Sequence, residues 1–348
     1  MKKTIMTAVI AMGLAFPSIA FAAGDLEISG LLFLNYTKKK TTDTNVVTPT
    51  ANSMGMAIDR AYLSANYRID RDWSAKVTLD AVYDAAQAAA SKHNQVFLKN
   101  AYLQGRLADA ATLDLGLINT PWVGYEQKLW KYRYISQVYV DRVGFAHSAD
   151  AGIGVHGKVS MLNYHIAYLN GGGYSNTVET KGNDLELRVG AELDKNLTID
   201  LGYRNGYMGN KVLNTPGDKR TLTQLMATFG QDKMRVGVNY VTNKIKYDNV
   251  GAPGLGVSDK ATAYMLWGHV GVAGKYNVLG RYEATKTKRS NSVNNVKETR
   301  YLAGIEYDYS KNVSMSLAME SAKTTNFNFT ANRTVKTSRM GLYTQANF

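Results

Sequence analysis

The stretch "AIDRAYLSANYRI" (57–69) puts Ala61, Leu63, Ala65, Tyr67 and Ile69 on one side of an extended chain. Arg60, Tyr62, Ser64, Asn66 and Arg68 fall on the other. Successive side chains of a β-strand point to opposite faces, so such alternation marks a strand with one apolar and one polar face. "LTIDLGYRNGY" and "DLELRVGAEL" repeat the pattern. Turn-forming clusters follow a rhythm of their own. Short turns at 70–73, 108–110, 160–162, 194–196, 231–233, 274–276 and 311–312 alternate with longer polar links near 38–55, 86–94, 119–148, 171–182, 208–219, 248–258, 289–296 and 327–335. These connections separate sixteen segments, most about 9–11 residues long or a little more, the length that crosses a bilayer as a tilted strand. Short turns on one rim and long loops on the other predict an all-β fold, a transmembrane antiparallel β-barrel of about 16 strands. A soluble sandwich would leave open edges, whereas in lipid the first and last strands must pair. Both "DLEISGLLFLNYT" and "KTSRMGLYTQANF" read as strands fit to close the ring.

The first residues carry a different signal. "MKK", an apolar run and "AFA" (20–22) have the form of an export signal over 1–22, leaving 23–348 as a single barrel domain. No later run approaches the length of an apolar transmembrane helix. Cysteine is absent, which excludes disulfides, thiolate metal sites and covalent haem attachment. No cofactor or metal site is expected. "GIGVHG" (152–157) matches a dinucleotide fingerprint but sits inside an alternating strand, where the required strand–turn–helix context is missing. No nucleophile elbow is present, so an enzymatic barrel remains only an alternative, as does a structural or adhesion barrel. The net charge of +13 suggests attraction for anions. Nucleic acid is not an expected partner in this compartment.

Several segments resemble a known family. "IDRAYLSANYRIDRDWSAKVTLD" (58–80), "LKNAYLQGRL" (98–107) and "LDLGLINTPWVGYE" (113–126), with the long third link and the terminal Phe348, are similar to Gram-negative outer-membrane porins of the phosphate-selective-porin-like group. The resemblance implies a water-filled channel in the cell outer membrane, three barrels to an assembly, and a third loop folded into the lumen. It also implies a last strand read by the barrel-assembly machinery. Small hydrophilic solutes and ions, anions among them, would then be the cargo.

Two sets of residues are candidates for the channel lining. The first lies in the third link, 119–148, which is too rich in Tyr, Trp, Leu and Val to be disordered. Trp122 and Tyr125 would pack on the inner wall. Lys128, Lys131, Arg133 and Arg142 would project towards the passage, with Glu126 and Asp141 as opposing charges. Gly152 and Gly154 in the following strand would leave room for the loop. The second set comes from the inward parity of the strands: Arg60, Arg188, Arg204, Arg235, Arg281 and Arg300, each well inside its strand. A ring of arginines selects anions and grips carboxylate or phosphate. The competing reading is cross-strand pairing with Asp and Glu, which makes only a polar wall. Lys38, Lys39, Lys40, Lys286, Lys288 and Arg289 fall in outer stretches.

Overall fold

A computed structural model describes residues 25–44, 50–82, 95–177, 183–207, 218–247, 258–289, 295–327 and 333–348. The expected signal segment and much of the long links other than 119–148 lie outside these residues. The described residues form sixteen strands and two short helices. In order they are β1 (Leu26–Asp43), β2 (Thr50–Arg68), β3 (Trp73–Val82), β4 (Gln95–Ala108), β5 (Ala111–Asn119), α1 (Val123–Trp130), α2 (Tyr139–Arg142), β6 (Ala149–Val159), β7 (Leu162–Leu169), β8 (Asp184–Glu192), β9 (Leu197–Tyr207), β10 (Lys219–Gln231), β11 (Met234–Lys246), β12 (Ser258–Ala273), β13 (Tyr276–Arg289), β14 (Asn295–Ser310), β15 (Val313–Phe327) and β16 (Arg333–Asn347). Each strand pairs antiparallel with its sequence neighbours, and β1 pairs β16 from Leu31↔Asn347 to Asp43↔Val335. The sheet is therefore a closed barrel with no free edge, as a bilayer requires.

The alternation sorts side chains as expected. Leu225 and Phe229 of β10, Val236 and Val238 of β11 and Leu266 of β12 are exposed on the outer face, where lipid would cover them. Tyrosines stand opposite one another on that face, Tyr240 with Tyr264 and Tyr282 with Tyr301, with ring centroids 5.1 and 5.0 Å apart. Amphipathic rings of this kind suit the level of the lipid headgroups. The short turns are tight. Ser160 and Asp232 open theirs with φ of 52° and 51°, the left-handed geometry that matches the twist of a hairpin.

One expected boundary moves. The link placed at 38–55 is mostly strand, because β1 runs on to Asp43 and β2 begins at Thr50. Lys38, Lys39 and Lys40 sit in the β1–β2 ladder opposite Met54, Ser53 and Asn52. Two β-bulges have larger consequences. Between Phe33 and Leu34 the pairing skips from Arg60 to Ile58, leaving Asp59 as the extra residue. Between Thr78 and Leu79 it skips from Asn100 to Leu98, leaving Lys99 extra. Each bulge flips the parity of its strand.

The hydrophobic core lies inside the barrel. Trp122, Val123, Trp130, Tyr132, Tyr134, Val138, Tyr139 and Val140 of the 119–148 loop are buried against Leu222, Met226, Val241, Ala263, Trp267, Leu279 and Leu302 of the wall. The third long loop is thus folded into the lumen.

Candidate functional site

The loop leaves β5 at Asn119 and turns inward. Pro121 cannot donate to a ladder, and α1 begins after Trp122, its N-cap residue. α1 ends where Lys131 adopts φ 70°, a left-handed stop. Trp122 lies flat on β9 at Gly202, where an added Cβ would come within 2.4 Å of its ring. Gly152 and Gly154 do not serve that purpose. A Cβ at either would meet only neighbouring strand atoms of Tyr168, Leu169, Ile118, His165 and Ile166. The glycine that admits the loop is the one in "LGYRNG", not the pair in "GIGV".

Polar contacts hold the rest of the loop across the wall from β8 to β15. The Trp122 indole donates to Glu126 at 2.7 Å, and Asn239 of β11 donates to the other Glu126 oxygen at 2.9 Å. Glu126 is therefore buried in the loop–wall contact, not set against the passage as the sequence suggested. Burial pushes its carboxyl up to about 7. Glu306 of β14 is a second clamp. It accepts from Lys131 at 2.8 Å and from the hydroxyls of Tyr132 and Tyr134 at 3.0 Å each. Further on, Ser136 receives Arg281 at 2.6 Å, and Arg142 pairs with Glu283 and with Glu298. Asp141 accepts from Gln127 at 2.9 Å, and burial raises its carboxyl despite the nearby Arg133.

The six strand arginines divide into groups. Arg204 is fully buried, pairing with Asp184 and standing 3.5 Å from Glu186. Arg188 pairs with Asp200 at 2.8 Å, donates to the Pro121 carbonyl, and stacks on Tyr125 at 3.7 Å. Arg281 lies under the loop, on Trp130, beside Glu283. Arg188 and Arg281 fasten the loop to the wall, and Arg204 stands beside Glu186, which accepts from the Trp122 backbone N–H at 3.3 Å. Arg300 pairs with Glu320 at 2.8 Å. Arg235 lies in a separate chamber at the short-turn end, with Lys128, Lys131, Lys233 and Asp308. Arg60 faces open space, tied to Asp80 at 2.7 Å.

The passage runs along the side the loop leaves free, past β16 and β1–β4. Two chambers of 290 and 410 Å³ share Phe33 and Arg133 in their lining. At about 30 Å³ per water, each has room for a hydrated ion. Arg60, Arg133, Arg142 and Arg339 line the first, with Asp59 and Glu320; Lys76, Lys99 and Arg133 line the second. Among the described residues neither Arg133 nor Lys99 makes an ion pair. Arg133 stacks instead at 5.5 Å over both Phe33 and Tyr62. Asp59 and Lys99 escaped the sequence reading because both are bulge residues. The signal was present: outward Met54, Met56 and Ile58 are even-numbered, whereas outward Leu63 is odd. Outward Val96 and Leu98 give way in the same manner to Leu103 and Leu107.

A closed membrane barrel with a folded inner loop and a passage lined by charged side chains defines a channel-forming outer-membrane protein. The family model described as "Gram-negative porin" matches residues 7–326, and the chain belongs to that family, whose members are multi-pass barrels of the outer membrane. A comparison with curated proteins finds no match. Solved structures share the fold at low identity. An anion-selective porin from Comamonas acidovorans is 13% identical with TM-score 0.62, covering 93% of this chain and 99% of that one. Outer-membrane expressed OmpT of Vibrio cholerae is 12% identical with TM-score 0.62, covering 93% and 97%. The trimer form of in-vitro folded OmpT is 14% identical with TM-score 0.60, covering 91% and 98%. The protein is thus a Gram-negative outer-membrane porin channel.

Proposed function

We propose that this porin passes small hydrophilic solutes by diffusion, without chemistry, and favours anions over cations. The observation that carries this reading is the imbalance at the constriction. Arg60, Arg133, Arg142, Arg339, Lys76 and Lys99 line the two chambers against Asp59 and Glu320. Several of these cations are partly neutralised: Arg60 by Asp80, Arg142 by Glu283, and Arg339 by Asp59 at 3.9 Å. Arg133 makes no ion pair among the described residues, and it lines both chambers. A fixed charge in a narrow path surrounded by low dielectric sets the sign of the permeating ion. The anion-selective Comamonas porin of the same fold supports the reading, as the OmpT trimer form supports an assembly of three copies.

Reversal potentials across a planar bilayer in a potassium chloride gradient test it. Chloride preference is expected, and potassium preference would overturn the proposal.

A further inference from the structure

We propose that Lys99 and Arg133 form a binding seat for small organic monocarboxylates with an apolar body, in preference to compact inorganic oxyanions. The inference deepens the anion-channel reading above and rests on it.

The seat is built, not incidental. A β-bulge inserts Lys99 into the lumen, where its side chain is only 9% exposed. Its ammonium donates to Ser148 at 2.9 Å and lies 4.3 Å over the ring of Tyr174. Among the described residues it has no carboxylate within ion-pairing distance, and hydrogen capacity remains after the Ser148 bond. A buried ammonium without a counter-ion is costly, and an anion bound beside it would relieve that cost. Arg133 arrives from the loop on the opposite side. Both cationic heads lie 5.5 Å from the centre of the Tyr62 ring, so the two charges share one aromatic neighbour. Arg133 likewise has no ion pair among the described residues.

The surroundings choose among anions. Leu31, Phe33 and Tyr62 line the same chamber on the inward face of β1 and β2, an apolar strip unusual for a water-filled bore. A doubly charged phosphate would shed tightly held water there with little recompense. A monocarboxylate brings one charge, which an arginine fork and a lysine point charge satisfy. Its apolar body gains from leaving water, at about 25 cal/mol per Å² buried.

The test uses the purified, reconstituted porin in planar bilayers at neutral pH. Chloride current is measured while benzoate, acetate or inorganic phosphate is added. Benzoate is expected to halve the current at a concentration roughly tenfold below that of phosphate or acetate, about 1.4 kcal/mol. Losing one charge-assisted hydrogen bond in Lys99→Met should raise the half-blocking concentration of benzoate at least about tenfold. Lys99→Arg should restore part of the block. Arg133→Gln, on the loop, should give the same weakening and decides the matter if Lys99→Met does not fold. Equal block by phosphate and benzoate, or by acetate and benzoate, overturns the proposal. So does unchanged benzoate block in folded Lys99→Met or Arg133→Gln. The reversal potential in plain potassium chloride stands apart: it tests the anion-channel reading without any carboxylate present.

Discussion

Two halves of one lumen wall carry the same residue type to opposite ends. On β8, β9 and β13 the inward arginines are buried on the side the loop occupies and matched by acids: Arg188 with Asp200, Arg204 with Asp184, Arg281 with Glu283. On β16 and β1–β4 the inward cations face open chambers with fewer acids. The covered half is held by charge pairing, and the open half holds unspent charge. Counting bases and acids over the whole bore would average the two and miss both. What divides them is the loop, which turns a polar lumen into half core and half conduit.

The largest expected effect breaks the covered half. Arg204→Met strands Asp184 and Glu186 without their main partner in a fully buried site. Removing one member of a buried pair typically costs about 3–5 kcal/mol. Thermal unfolding of the detergent-solubilised protein should show it as a marked loss of stability. Ion selectivity of the channels that survive should stay as it was. A selectivity change with unaltered stability would place Arg204 in the conduit and erase the distinction. Next in size is Gly202→Ala, whose new Cβ falls on the Trp122 ring. Overpacking of this kind costs about 1–3 kcal/mol. The loop should shift and single-channel conductance change, whereas Gly55→Ala, with nothing within 4 Å of its Cβ, should leave conductance alone.

Much of this was legible in the sequence. Alternation and turn rhythm gave sixteen strands with most ends within a residue or two, because period 2 is imposed directly by the pleat. The loop could be seen in "NTPWVGYEQKLWKYRYISQVYVDRVGF" (119–145) because its aromatic content fits neither a strand nor a solvated link. Its partners could not be seen. Gly202, Glu306 and Asn239 meet the loop from strands far along the chain, and only closure of the barrel brings them to it. Asp59 and Lys99 were hidden for a local reason, since one bulge reverses every assignment beyond it. Carrying the parity of Leu63 back past Ile58 would have exposed the break.

A smaller effect sharpens the comparison inside the loop itself. Lys128, Lys131 and Arg133 look alike in sequence, yet Lys131 is engaged by Glu306, Lys128 lines the short-turn chamber, and of the three only Arg133 lines the two chambers beside Phe33. Arg133→Gln should lower the anion-to-cation permeability ratio roughly fivefold, the effect of about 1 kcal/mol from one charge at close range. Lys131→Gln should change it by less than about twofold, because Glu306 already screens that charge. Equal effects would mean that the loop presents all its bases to the water.

The smallest effect concerns how firmly the covered half is covered. Glu126, ordinarily titrating at 4.5, is pushed up to about 7 by burial beneath the loop. Between those values the docked loop keeps a proton that the undocked loop releases. Docking is therefore favoured in full below pH 4.5, weakens as pH rises towards 7, and levels off above it. Glu126 faces Trp122 on its own loop, Asn239 on the wall, and the Arg281 and Glu283 charges beyond. Spontaneous closures in single-channel records should be rarer at pH 5 than at pH 8. Glu126→Gln keeps the acceptor for the indole but has no proton to lose, so its closure rate should be flat across that range. A Glu126→Gln channel that keeps the full pH dependence would move the titrating group out of the loop–wall seam and into the open half.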